Sequence, residues 1–246
     1  MRIPRAAFYI PVLTAALAAS SPAQSPASQT DQPSPTGPRL FTSPLGFSFQ
    51  IPPNWQALDS QPVLPDLKEE RDLSGSNQAD AKGVACTQLG LTARQTSSSS
   101  NPTSVSPASV MVEVALPFNC FGRRIAANDL PAFGAGATQG IKQDFDLATS
   151  HQATYTLGSH PVWAERVEGS PKGAPKPAAK ADDAPATGDP APHTTIEIAC
   201  TLLSQAAVCW LTEAADSASL ASFEQLSVTL DGDAPLPLVP AGTFPK

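Results

Sequence analysis

Four cysteines and three histidines are the residues of this chain best suited to covalent or metal chemistry. The cysteines form no CxxC pair, and His151, His160 and His193 do not stand in an HExxH arrangement. The chain also has neither a GxSxG nucleophile elbow nor a phosphate-binding loop. From these patterns we predict no catalytic residue, no cofactor-binding residue and no metal ligand.

Two of the cysteines fall opposite each other on a predicted hairpin. The hairpin runs from Thr194 to Glu213, with its turn centred on Ser204 and Gln205. A two-residue turn there sets Cys200 against Cys209 at a non-hydrogen-bonded position, where the Cα atoms are ~4.5 Å apart. That separation suits a disulfide. We therefore predict the bond Cys200–Cys209.

The other two cysteines, Cys86 and Cys120, then pair by elimination. The match is imperfect, because the two strands predicted around them do not align their apolar faces well. A zinc site assembled in space from all four cysteines is the alternative. An exported chain favours disulfides, since oxidising compartments allow them to persist.

Two further sets of residues leave alternatives open. His160 with Glu165 could form the acid–base pair of a hydrolase whose site matches no known motif. Trp55, Trp163 and Trp210 could line a carbohydrate-binding or hydrophobic groove, although large aromatic residues more often pack in a core. A pocket with converging polar groups would favour an enzyme, and an apolar groove without them would favour a binding protein.

The N-terminus predicts export. In residues 1–23, Arg2 and Arg5 precede an apolar run, and small residues follow at positions suited to signal-peptide cleavage. The run is short for a bilayer core of ~30 Å, so we expect no stable membrane insertion after cleavage. Residues 24–38 are rich in Ser, Pro, Gln and Thr and predict a disordered linker. The expected location is the periplasm or the exterior.

Charge restricts the partners. The formal net charge is −7, and Arg123–Arg124 is the only run of basic residues. Binding to the phosphates of nucleic acid requires clustered positive charge, so we predict that nucleic acid is not a partner. The expected partner is an unidentified envelope protein or a small ligand.

The pattern of residues 39–231 predicts one α+β domain. Its opening stretch, Phe41 to Trp55, alternates apolar and polar side chains as a half-buried strand does. Five further elements are predicted: strands at 84–93 and 110–118, a helix at 130–145, a hairpin turning at Gly158-Ser159 and a last helix near 217–226 with a short strand after it. Residues 169–193, rich in Pro and Ala, predict a disordered insert, and residues 232–246 an irregular tail.

The order of these elements and the opening motif resemble the PsbP-like α/β/α sandwich of photosystem II extrinsic proteins and DcrB-like envelope proteins. The motif residues are Pro44, Gly46, Phe47, Phe49, Pro52 and Trp55, with looser matches at Gly158, Pro161, Trp163, Ser222, Phe223 and Leu226. The resemblance implies a central antiparallel sheet flanked by helices. It also implies a non-enzymatic binding or accessory module of the cell envelope, with the hydrolase as the alternative.

Overall fold

The computed structural model describes residues 39–52, 55–58, 85–95, 109–172 and 194–245. The predicted signal peptide, the linker and most of the insert at 169–193 lie outside these residues. The strands are β1 Arg39–Ser43, β2 Phe47–Ile51, β3 Trp55–Leu58, β4 Gln88–Gln95, β5 Val110–Pro117, β6 Phe145–Leu157, β7 His160–Pro171, β8 Thr194–Leu202, β9 Ala206–Ala214, β10 Ser227–Leu230 and β11 Leu236–Pro237. The α-helices are α1 Phe118–Phe121, α2 Leu130–Asp144 and α3 Ser217–Glu224, and the 3-10 turn Ala127–Asp129 leads into α2.

The described strands form two antiparallel sheets. The larger has seven strands in the order β3-β4-β5-β9-β8-β7-β6, and the smaller has four in the order β1-β2-β10-β11. Strands that are neighbours in the chain are usually neighbours in the sheet, because short hairpins connect antiparallel strands directly. The exceptions are β9, which pairs with β5 as well as with β8, and β10, which pairs with β2.

The main core lies between the two sheets. In β2, the buried side chains Phe47, Phe49 and Ile51 alternate with the more exposed Ser48 and Gln50. The period of two directs these three apolar side chains to one face of the strand. The rings of Phe47 and Trp210 meet edge to face, with 5.5 Å between centroids, which links the small sheet to the centre of the large one.

Helix α2 covers the opposite face of the larger sheet. Leu130 and Ile141 pack with Phe145, Trp163 and Ile198 in a second buried cluster. The spacing of these apolar residues along the chain correctly predicted the helix. Asp129 occupies the N-cap position, but its side chain accepts no capping hydrogen bond.

The predicted class, a central sheet flanked by helices on both faces, is wrong. One face of the seven-stranded sheet carries α2, but the other packs against the four-stranded sheet, Leu203 and Phe223. The physical reason lies in β2. Because β1 and β10 pair on either side of it, the opening strand builds a second sheet where a helical layer was expected.

The hairpin of β8 and β9 has the predicted register. Cys200 pairs with Cys209, Ile198 with Leu211, and the amide of Leu203 donates to the carbonyl of Ala206 over a distance of 2.8 Å. The β6–β7 hairpin also turns at Gly158-Ser159, as predicted. Its strands have 13 and 12 residues, far longer than the apolar pattern indicated.

Three boundaries differ from the prediction. The strand expected from residue 84 begins at Gln88, after a helical turn that holds Cys86. Helix α3 ends at Glu224, before the predicted end near residue 226, and its N-cap is Asp216, whose side chain accepts from the Ser219 amide. Residues 232–245 are mostly irregular, as expected, but Leu238 and Phe244 are buried in the main core.

Candidate functional site

An open groove of about 470 Å³ lies at one end of the larger sheet. Its walls come from the β1–β2 turn, from α1 with the three residues after it, and from the β8–β9 turn. Leu45 and Phe118 provide the apolar part of the lining. This lining includes no His, Cys, Asp or Glu.

The short helix α1 positions one wall of the groove. At its start, the Phe118 amide donates to the Gln205 carbonyl over 2.8 Å, which fastens the helix to the β8–β9 turn. At its end, Gly122 adopts a φ of 81° and its amide donates to the Phe118 carbonyl. Glycine readily adopts this left-handed conformation and so ends the helix, after which Arg123 and Arg124 follow along the groove.

Two guanidinium groups give the groove positive charge. Arg123 and Arg124 are both exposed, and neither forms an ion pair with any residue that the structure describes. The Arg123 guanidinium carbon lies 5.0 Å from the centre of the Phe121 ring, a cation–π contact that limits its movement. Two free arginines beside an apolar surface can hold an oxyanion attached to an apolar body.

The opposite rim is held by Asp231. Its carboxylate accepts from the Ser204 amide at 3.0 Å and from the Ser204 hydroxyl at 3.1 Å. Asp231 has a φ of 46°, and its own amide donates to the Gly46 carbonyl. The β8–β9 turn is therefore tied to the β1–β2 turn through one aspartate, which fixes two walls of the groove relative to each other.

His160 lies on the far side of this aspartate. Its Nδ1 donates to the Leu202 carbonyl at 3.1 Å, and its Nε2 is 4.0 Å from an Asp231 oxygen and 3.7 Å from an Asp233 oxygen. A serine hydrolase needs the histidine between the serine and the acid. Here the aspartate lies between Ser204 and the histidine, so no base is placed on the serine hydroxyl.

The structure does not bring His160 and Glu165 together. Glu165 is on the face of β7 that meets α2, where it accepts from Thr138 at 2.5 Å and from Ser150 at 2.7 Å. Side chains along a strand alternate between its two faces, so residues an odd number of positions apart lie on opposite faces. His160 and Glu165 are both on β7 and are separated in this way, so His160 is on the other face. Glu165 thus has two hydroxyl partners of its own and no contact with an imidazole.

A buried ionic cluster lies between the larger sheet and α3. Arg166 donates to Glu197 at 2.8 Å and also to Glu224, and its guanidinium carbon is 4.5 Å from the centre of the Phe244 ring. Burial raises the pKa of Glu197 to about 7, although the Arg166 charge and hydrogen bond act in the opposite direction. Arg166 contacts each of the other three side chains, so its guanidinium group has a structural role.

Glu113 is a buried carboxylic acid without a described hydrogen-bond partner. It is 1% exposed, lies opposite Trp210 on the inner face of the sheet, and has its pKa raised to about 8 by burial. A bulge in β4 at Gly90 makes room for it, because a Cβ there would be 1.6 Å from a Glu113 oxygen. Sequence reasoning missed this residue, whose signal was a lone Glu inside an apolar strand.

The structure joins the four cysteines as Cys86–Cys120 and Cys200–Cys209, the pairs that the sequence favoured. The bond Cys200–Cys209 spans a Cα separation of 4.1 Å and is fully buried. The three tryptophans at 55, 163 and 210 are buried in the core, and none of them lines the groove beside α1. His151 is exposed, and His193 lies outside the described residues.

Within the described ranges, no three His, Cys, Asp or Glu residues are placed so that they could hold one metal ion. The same part of the chain has no helix that is both long and apolar enough to cross a membrane.

No family model matches the chain, and no curated protein matches it either. Among solved structures, the chain is similar to the solution structure of cyanobacterial PsbP (CyanoP) from Synechocystis sp. PCC 6803. The identity is 10%, the TM-score is 0.36, and the match covers 84% of this chain and 99% of that one. The likeness is distant, and we base no inference on it.

Proposed function

We propose that this protein is a non-enzymatic binding or accessory module of the cell envelope that acts outside the cytoplasm. Its ligand is held in the groove beside α1 and carries an oxyanion on an apolar body. The observation that carries the proposal is the pair Arg123 and Arg124, without described ion-pair partners, next to Leu45 and Phe118 in the groove lining.

Charge supports this choice of ligand. The whole chain has 15 basic and 22 acidic residues, so most of its surface repels anions. Two adjacent arginines in one groove create a local exception, and a guanidinium group can bind a carboxylate or a phosphate through two parallel hydrogen bonds. The side-chain amide of Asn119 adds a neutral donor to the same lining.

Two features support a location outside the cytoplasm. All four cysteines are in disulfides, which persist mainly in oxidising compartments. The N-terminal residues 1–23 have the pattern of a secretory signal. The cell envelope and the exterior both meet these conditions.

The test is a calorimetric titration of the full chain with three ten-carbon probes below their micelle concentrations: decanoate, decyl phosphate and decyltrimethylammonium. We expect an oxyanion probe to bind and the ammonium probe not to bind. The two oxyanions distinguish a carboxylate site from a phosphate site. Acetate and inorganic phosphate, which have no apolar body, should bind at least tenfold more weakly than their ten-carbon counterparts.

The variants give the test its specificity. Replacing both arginines, Arg123→Gln with Arg124→Gln, should weaken binding of the oxyanion at least tenfold, which is about 1.4 kcal/mol. The matched control is Arg94→Gln, an exposed arginine on β4 that does not line the groove. If neither oxyanion binds, or if the double variant binds as tightly as the control, the groove is not the site.

A further inference from the structure

Strand β6 forms one edge of the seven-stranded sheet, and its outer side has no strand beside it among the described residues. The other three sheet edges are short: β1 has five residues, β3 has four and β11 has two. Strand β6 has 13 residues. A long edge presents a row of backbone donors and acceptors to any strand that can pair with it.

The middle of β6 is accessible from both faces as well as from its edge. All five residues from Ala148 to Gln152 are exposed, although β6 is fully paired with β7 on its inner side. The layers that cover the centre of the larger sheet, α2 on one face and the small sheet on the other, leave these side chains uncovered.

The usual protections of a sheet edge are weak here. Natural edges carry Lys, Pro, bulges or inward charges that prevent pairing. Strand β6 contains no Lys, Arg, Glu or Pro, and its single carboxylate, Asp146, is near its start. Its one irregularity, between Leu147 and Thr149, is near the same end. The stretch from Thr149 to Leu157 is regular and without Asp, Glu, Lys or Arg.

The hairpin turn determines which backbone groups face outward. With a two-residue turn, the pair Leu157–His160 next to it exchanges hydrogen bonds, and the pairs then alternate along the strands. The amides and carbonyls of Ser150, Gln152, Thr154 and Thr156 therefore point away from β7. Their spacing matches the donor and acceptor pattern of an antiparallel partner strand.

We propose that β6 pairs antiparallel with β6 of a second copy of this chain, about a two-fold axis near Ala153, the centre of the regular stretch. A two-fold axis brings the same surface of both copies together, so the surface must complement itself. The regular part of β6 meets this condition because its Thr, Ser, Gln and Ala side chains carry no charge. No like charges would therefore face each other across the interface. Since each copy carries a net charge of −7, the uncharged edge is where repulsion is smallest.

The test is sedimentation velocity of the full chain from 1 to 100 µM, with amide hydrogen exchange at both ends of that range. We expect a dimer whose fraction rises with concentration. The outward amides at 150, 152, 154 and 156 should become at least tenfold more protected at the higher concentration. This second measurement needs no variant, so the proposal is testable even if a substitution prevents folding.

Charge substitution provides the specificity control. Gln152→Lys with Thr154→Lys places like charges across the axis and should raise the dimer dissociation constant at least tenfold. The matched control adds the same charge elsewhere, Ala135→Lys with Ala218→Lys, at two exposed helix positions.

Three outcomes would overturn the proposal. One is a chain that stays monomeric across the range. Another is a dimer that both double variants form equally well, because the interface would then be elsewhere. The third is protection of the outward amides in the monomer, which would mean that another part of the same chain covers β6.

Discussion

The carboxyl group of Glu113 lies inside the main core, between the bulge at Gly90 and the ring of Trp210. Most buried acids have a charged partner, as Glu197 has in Arg166. Glu113 has no such partner among the described residues. The neutral, protonated acid is therefore its stable form in the fold.

This proton makes stability depend on pH. The pKa of Glu113 is about 8 in the folded chain against an ordinary value of 4.5, so the native state binds the proton more tightly. The contribution of Glu113 to the free energy of unfolding should be fully present below pH 4.5 and be lost as pH rises towards 8. The slope from one such proton is about 1.4 kcal/mol per pH unit. Glu197, with its pKa of about 7, adds to the slope in part of the same window.

The variant Glu113→Gln keeps the shape of the side chain and removes the proton. We expect it to match the parent protein near pH 4.5 and to be several kcal/mol more stable at pH 9, because it has no charge to bury. Urea unfolding from pH 4.5 to 9 measures this. The control Glu168→Gln changes an exposed glutamate on β7 and should leave the slope unchanged. If the free energy of unfolding fell with pH as steeply in E113Q as in the parent protein, the raised pKa of Glu113 would be contradicted.

At the scale of elements, α2 is close to the sheet because of one glycine. The ring of Trp163 lies against Gly134, where a Cβ would be only 2.0 Å from a ring carbon. Alanine is a better helix former than glycine by about 1 kcal/mol, so propensity alone favours Gly134→Ala. Close packing opposes it, since the rigid ring and the helix would have to separate.

We expect packing to dominate, so that Gly134→Ala destabilises the protein by about 1–3 kcal/mol. The matched control is Ala135→Gly, one residue away at an exposed position, which should cost about 1 kcal/mol through propensity alone. Thermal and urea unfolding of both variants measure the difference. A gain of stability in G134A would show that α2 does not approach the Trp163 ring as closely as described.

At the scale of the whole molecule, the C-terminal residues close the core. The Tyr155 hydroxyl donates to the Leu238 carbonyl at 2.7 Å, and the Leu238 amide donates to the Leu226 carbonyl at 2.8 Å. Leu238 and Val239 are buried, and the Phe244 ring contacts Arg166. The last residues thus join β6, β7 and the segment after α3 into one packed body.

Replacing the Phe244 side chain by a smaller one should therefore lower the free energy of unfolding as much as a substitution elsewhere in the core. We expect Phe244→Ala to destabilise the protein by about 3 kcal/mol, through lost burial and loss of the ring beside Arg166. The control is Leu40→Ala, because Leu40 is 66% exposed and should contribute within about 0.5 kcal/mol. Equal effects in urea unfolding would mean that the C-terminal segment is not part of the core.

The sequence by itself determined the local elements whose patterns are complete within one stretch of chain. Three such patterns can be recognised without knowing what packs against them. They are the alternation of apolar and polar residues in β2, the spacing of apolar residues in α2, and the matching apolar faces of β8 and β9. The pairing of Cys200 with Cys209 followed from the same hairpin register, since a short turn fixes which residues oppose each other.

The tertiary structure decided what depends on contacts between distant residues. Strand β6 is polar along most of its length and gave a strand signal only next to the Gly158-Ser159 turn, because the rest is exposed and is held in place by β7. The second sheet forms only when β2 meets β10, which is far away in the chain. The groove likewise forms where α1 meets two turns that are far from it in the chain. In the sequence, Arg123 and Arg124 are only a pair of adjacent basic residues. The tertiary structure brings them beside Leu45 and Ser204.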